Sequence, residues 1–241
     1  MVLDARYEKV RESGSACSQA VLGAIGIDWE GRRNVLGIEM VERESASSWR
    51  DFLLGLRERG LRGVQLAASD DHAGLRRAIR EVLPEALWQR CYVHFLRNAL
   101  DHRPRKANDE CLTELRWIYG RRNADEARRD LSAWLAKWDK RHPKLCAWVE
   151  ENIAETLTLY RLPLEHHKHM KSTNMLERIM EELKRRTLVV RIFPNTASCL
   201  RLVRAIAVEM HENWIEATRY LNMEPLRDQN KESIRSLAEA A

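Results

Sequence analysis

An α/β fold on a mixed sheet is the expectation for this chain, and three observations carry it. Three β-favouring runs follow one another in the first 41 residues with only short turns between them. The apolar pattern then changes from the strand repeat to the helix repeat, and helix alternates with strand. From about residue 94 to 165 the pattern is helical throughout.

The elements follow in order. Residues 2–10, VLDARYEKV, form a strand; RESGS (11–15) is a turn; ACSQAVLGAIGI (16–27) is a second strand buried on both faces. Asp28 to Gly31 turn the chain into a third strand, NVLGIEMV (34–41), completing an antiparallel meander. Residues 45–60 put Trp49, Phe52, Leu53 and Leu56 on one helical face, begin with serines and stop at Gly60. GVQLAAS (63–69) is a short strand ending at Asp70-Asp71-His72. A helix over 72–84 follows, with Leu75, Ala78, Ile79 and Val82 inward and Pro84 as its stop. ALWQRCYV (86–93) is a fifth strand. Trp134, Trp138 and Trp148 read as core of a helical subdomain divided by Pro143; a base-stacking platform is the other use of such rings. STNMLERIMEELKRRT (172–187) is an amphipathic helix, with Leu176, Ile179, Met180 and Leu183 inward and Glu177 placed to close a capping box on Asn174. FPN (193–195) turns the chain into a long closing helix (199–221), and the polar tail from Glu224 is expected to fray. The expected division is 1–93 and 166–223 for one core, 94–165 for a helical insertion and 224–241 for the tail.

Composition narrows the class. The chain is 241 residues long with 44% hydrophobic residues and eight Trp, enough apolar surface for a folded core. Forty-one Lys and Arg against 36 Asp and Glu give +5, a balance that permits a nucleic-acid partner. No apolar run approaches a membrane span of roughly 20 residues, and the first residues show no signal peptide. Five widely spaced cysteines fit a reducing compartment, so a cytoplasmic protein with no membrane partner is expected.

Three acids stand out. Asp4 lies inside an apolar strand start, where a carboxylate is costly unless paired or metal-bound. Asp70 ends a strand ahead of a helix, where open α/β sheets place functional groups; its other reading is a helix N-cap, which Asp71 would serve equally. With the first strand central and beside the fourth, Asp4 and Asp70 become neighbours, and a divalent cation is needed to neutralise them. Mg²⁺ suits carboxylate and phosphate oxygens, and Glu177 from the later helix would complete a two-ion site for phosphodiester chemistry.

These residues lie in stretches that are together similar to a known family. LDARYEKVRE (3–12), AIGIDWEGRRNVLGIEM (24–40), ESASSWRDFL (44–53), SDDHAGLRRAI (69–79), WQRCYVHFLRN (88–98), STNMLERIMEELKRRT (172–187) and FPN (193–195) occur in family order. The chain resembles the Mutator-type bacterial insertion-sequence transposases, a DDE family with a ribonuclease-H-like core. The resemblance implies that Asp4, Asp70 and Glu177 are the catalytic acids and the ligands of two Mg²⁺ or Mn²⁺ ions. They lie 66 and 107 residues apart, the long interval matching the family's helical insertion, with Asp71 and Glu181 as near neighbours of no such role. It implies strand cleavage and strand transfer on double-stranded DNA (element ends and target) by a homo-oligomer at the bacterial nucleoid. The alternatives are a nuclease that cuts without joining, and an inactive remnant that binds DNA or intact transposase. Met175 stands where the family carries Pro or Gly. The family also carries an end-recognition domain ahead of the first Asp, so an N-terminally truncated protein is expected.

Cys91-x-x-His94 matches a family signature. A closed zinc site wants four ligands, and Cys111 and His102 are the nearest extras, so a role in shaping the active site is expected. His166, His167 and His169 read as a solvated loop, with contact to DNA phosphate as the alternative. Between 168 and 191 seven cations face three acids, so Lys171, Arg178, Lys184, Arg185, Arg186 and Arg191 are expected to bind DNA backbone, with Arg76, Arg77 and Arg80 extending the surface.

Overall fold

The computed structural model describes residues 1–102 and 110–239. The chain divides into a first unit, Met1–Trp88 with Thr173–Met223, and a second, Gln89–Ser172 with the stretch from Glu224 onward. The helical expectation for 103–109 and the last two residues of the tail lie outside the described residues.

The first unit opens on the expected meander: β1 (Val2–Glu12), β2 (Ser15–Ile27) and β3 (Arg33–Val41). Ser13 and Gly14 both take positive φ, at 48° and 83°, the geometry of a tight two-residue hairpin turn, and this lengthens both strands beyond their expected ends. At the next turn Gly31 has φ of 80°, and a side chain there would place its Cβ 1.9 Å from the Leu221 carbonyl oxygen. Only glycine fits.

Next come α1 (Ala46–Glu58), β4 (Leu66–Ser69), α2 (Ala73–Val82) and β5 (Leu87–Arg90), in a sheet of order β3-β2-β1-β4-β5. Ser45 caps α1, its Oγ accepting the Ser48 N–H at 3.1 Å. The cap of α2 is His72, whose Nδ1 accepts the Leu75 N–H at 3.2 Å, so neither Asp70 nor Asp71 is spent there. One face of the sheet (Leu3, Leu22, Ala24, Ala67) packs with Trp49, Phe52, Leu53, Leu75 and Ile79 into a single core. Each large side chain so buried contributes about 1.5–3 kcal/mol. β5 ends at Arg90, sooner than expected, because the helix repeat takes over at Tyr92.

The second unit is helical: α3 (Tyr92–Ala99), α4 (Glu110–Trp117), α5 (Ala124–Trp138), α6 (Pro143–Asn152) and α7 (Leu164–Met170), joined in part by 3₁₀ turns. Pro143 sits in the first turn of α6, where its missing N–H is harmless. Trp134 and Trp138 are 4% exposed in its core, and the Trp134 indole donates to the Cys111 carbonyl at 2.7 Å. Buried and satisfied, those two rings are packing groups and offer no stacking platform. The His166–His169 stretch is a correction: it lies in α7, with His166 and His167 buried, because Tyr160 packs edge-on against His167 at 5.0 Å.

Back in the first unit, α8 (Asn174–Thr187) buries Leu176, Ile179, Met180 and Leu183, and α9 (Thr196–Glu216) packs along β3 and β1. The tail is the second correction. From Glu224 it forms α10 (Glu224–Glu239), with Leu226 buried and the Gln229 side chain donating to the Arg161 carbonyl at 2.7 Å. Among the described residues, no helix is long and apolar enough to cross a membrane.

Candidate active site

The geometry of the three acids starts from strand register. β1 and β4 run parallel with Val2 opposite Ala68. Asp4 lies two residues beyond Val2 within β1, and Asp70 directly follows Ser69, the last residue of β4. Leu3, Ala5 and Ala67 point into the core shared with α1 and α2, so alternation turns Asp4 to the opposite face.

α8 lies on that opposite face. Gly23 is the direct partner of Asp4 in the β1–β2 ladder. A Cβ at Gly23 would fall 2.5 Å from the Met180 methyl and 3.5 Å from a Leu176 methyl, so the missing side chain lets the helix rest on the strands. The Arg6 guanidinium ties the same turn down by donating to the Met180 carbonyl. Glu177, next to Leu176, therefore belongs to the turn of α8 that lies over the Asp4–Gly23 pair. Asp4, Asp70 and Glu177 are all partly buried.

A local donor orients each carboxylate. The Ala5 N–H donates to Asp4 Oδ1 at 2.9 Å and the His72 N–H to Asp70 Oδ1 at 3.2 Å. The Thr173 hydroxyl donates to Glu177 Oε1 at 2.8 Å. This last contact corrects the capping box. The helix is capped at Thr173, one residue earlier than expected, and the Thr173 side chain holds Glu177 without closing on the helix N–H groups. Asp71 turns instead to Arg76, at 3.1 Å.

The remaining candidates divide between the units. In the second, Cys91 is buried at the N-terminus of α3 and His94 is half-buried one turn on. Neither expected extra ligand is presented to them: His102 stacks on Trp148 at 4.7 Å, and Cys111 is a core residue. Lys171 lies over the Tyr92 ring at 5.1 Å, and burial, with Lys168 nearby, pushes its pKa down. In the first unit, Arg178, Lys184 and Arg191 are exposed. Arg185 grips Glu182 through two bonds of 2.8 and 2.7 Å, while Arg186 bonds Glu182 at 2.6 Å and Glu209 at 2.6 and 2.9 Å. Those donors, Arg185 foremost, hold the Glu182 carboxyl down at about 2. Arg76 lies 5.2 Å from the Trp88 ring centre, so of the three arginines on α2 only Arg77 and Arg80 face solvent.

Sequence patterns did not single out Gly23, Thr173 or Arg6 as supports of this arrangement. Gly23 was visible as a glycine within a strand, a sign of close approach by other chain. Thr173 and Arg6 gain their roles only through contacts distant in sequence or one residue out of register.

Comparison with known proteins adds the lineage. Residues 1–217 match the family model described as "Transposase, Mutator family". The chain is 67% identical over 238 residues to the transposase for insertion sequence element ISRM5 of Rhizobium meliloti, covering 99% of this chain and 60% of that protein. It is 46% identical over 226 residues to the transposase for IS406 of Burkholderia multivorans, covering 93% of this chain and 58% of that one. It is 34% identical over 227 residues to the transposase for IS256 in transposon Tn4001 of Staphylococcus aureus, again covering 93% and 58%. The chain thus spans about 60% of the length of these relatives. A family match over nine-tenths of its residues leaves one conclusion: this chain belongs to the Mutator family of transposases.

Proposed function

We propose that this chain is the catalytic region of a DDE transposase, acting in DNA transposition of an insertion sequence by strand cleavage and strand transfer. Asp4, Asp70 and Glu177 are its catalytic acids. The observation that supports the reading is the parallel pairing of β1 with β4 at Val2 and Ala68, since Asp4 lies in β1 and Asp70 directly follows β4, while Glu177 lies on the helix that packs on Gly23, the ladder partner of Asp4. The strand order, with an antiparallel meander extended by two strands beyond β1, supports a ribonuclease-H-like core.

The three carboxylates suit two hard divalent cations, Mg²⁺ or Mn²⁺. Oxygen donors alone are the donor set these ions take. Such ions, when bound, activate an attacking water or 3′-hydroxyl and offset charge on the phosphate. The chain's own residues do the positioning. A local donor to one oxygen of each of Asp4, Asp70 and Glu177 helps hold the carboxylate in place. Arg178, Lys184 and Arg191 supply exposed cations for DNA backbone, with the element ends and the target as substrates and a homo-oligomer as the working assembly.

The test is Mn²⁺ calorimetry beside gel analysis of strand-transfer products, comparing wild type with Asp4→Asn, Asp70→Asn and Glu177→Gln. Loss of saturable binding and of joined products in each folded variant is expected. Full strand transfer by Glu177→Gln would sink the assignment, and cut strands without joined ones would make the protein a nuclease.

A further inference from the structure

The turn that follows α8 carries an exposed apolar tip. Leu188, Val189 and Val190 are 68%, 87% and 38% exposed, and Ile192 is 39% exposed. Consecutive apolar side chains held out in water mark a surface that meets a partner. The tip is also firmly built. The Leu188 N–H donates to Lys184 O at 2.9 Å, Val190 N–H to Thr187 O at 2.9 Å and Ile192 N–H to Val190 O at 2.6 Å. Beyond it Phe193 is buried and bound to β1 by two backbone bonds, to Lys9 O at 2.9 Å and from the Arg11 N–H at 2.8 Å. Arg191 is held at a φ of 58°, a conformation that side chains rarely adopt and that persists where surrounding structure imposes it.

Cations predominate along the chain around the tip. From Leu183 to Val208 the chain contains no acid, while Lys184, Arg185, Arg186 and Arg191 flank the apolar residues. The acids that bound this stretch, Glu182 and Glu209, are taken up by Arg185 and Arg186. Glu8, which faces the end of α8 from β1, accepts the Thr187 hydroxyl and pairs with Arg6. Lys184 and Arg191 make no ion pair among the described residues. An apolar tip alone fits many partners; one flanked by Lys184 and Arg191 fits a polyanion with an apolar interior.

We infer that this tip is a wedge that enters duplex DNA at a base step, with Val189 and Leu188 unstacking the bases and Lys184 and Arg191 neutralising the flanking phosphates. The inference rests on DNA as the partner proposed above, but not on the metal site. The probe is a short duplex carrying 2-aminopurine, bound by the whole 241-residue chain in the absence of divalent ions. Wild type should raise 2-aminopurine fluorescence on binding. Val189→Ser and Leu188→Ser should each bind about tenfold more weakly, the loss of one buried aliphatic contact, without the fluorescence rise and with an unchanged salt slope. Lys184→Ala and Arg191→Ala should each lower the salt slope by about one and keep the rise. Because the assay holds no divalent ion, a failed metal site leaves the wedge standing. Wild-type affinity and fluorescence in Val189→Ser overturn the inference. So does a Val189→Ser variant whose sedimentation changes while its DNA binding does not, and so does a chain that binds no duplex.

Discussion

Replacing Gly23 by valine should separate Glu177 from Asp4 without touching either. A Cβ at this position already comes within 2.5 Å of the Met180 methyl, 3.5 Å of Leu176 and 3.8 Å of the Asp4 carbonyl. Carbon atoms at rest lie about 3.5–4.0 Å apart, so the Met180 contact is short by at least ~1 Å. Alanine should be tolerated within ~1 kcal/mol, because the clash is with the free end of a flexible methionine. Valine adds two more carbons toward Leu176 and Met180, and overpacking of that kind costs about 1–3 kcal/mol as α8 lifts from the strands. A displacement of about 1 Å at a reacting group costs on the order of a hundredfold in rate. Denaturant unfolding, Mn²⁺ calorimetry and strand-transfer rate would be measured on Gly23→Ala, Gly23→Val and the double variant Gly23→Val with Met180→Ala. The expected series is near-normal, impaired and partly restored. Wild-type stability and Mn²⁺ affinity in Gly23→Val, or a defect that Met180→Ala does not relieve, would refute the reasoning.

Gly31→Ala should destabilise the first unit by about 2 kcal/mol or more, through strain at positive φ and collision with Leu221; denaturant unfolding reads it directly. Asp71→Asn should leave Mn²⁺ binding intact and cost less than ~1 kcal/mol, since its pair with Arg76 is partly exposed, whereas Asp70→Asn should abolish the binding heat. His167 is neutral in the fold because burial lowers its pKa, with its ring bonded to the Leu162 carbonyl at 2.8 Å. The unfolded chain therefore takes up the proton first, so this contribution is complete above the unfolded pKa of about 6.5 and is lost as pH falls from there toward the folded value. Thermal unfolding should show a lower midpoint toward pH 5 than at pH 7, and a flatter dependence in His167→Gln.

The sheet and its inward faces were legible because they obey local repeats. Trp49, Phe52, Leu53 and Leu56 sit where the helical period puts them, and the meander needed only alternation and two turns. What was hidden depends on contacts that no local repeat encodes. His166 and His167 are polar by composition and buried only because neighbouring elements cover them. The tail from Glu224 is polar overall, yet Leu226 gives its helix an anchor. At the candidate site, the strand-end position of Asp70 and the strand setting of Asp4 could be read directly. That Thr173, not Asn174, starts α8 could not, since three capping residues in a row offer the helix a choice that packing settles.

The order in which the three acids leave the ribosome follows from the way the second unit interrupts the first. Asp4 and Asp70 belong to the opening stretch that ends at Trp88, and Glu177 is translated only after the intervening helices, which begin at Gln89 and end at Ser172. At roughly 5–20 residues per second, that interruption delays the third carboxylate by several seconds at least. Throughout that interval the growing chain carries two of the three acids without the third. A chain whose synthesis stops early would carry the pair alone, so completeness of the message becomes a condition for assembling all three.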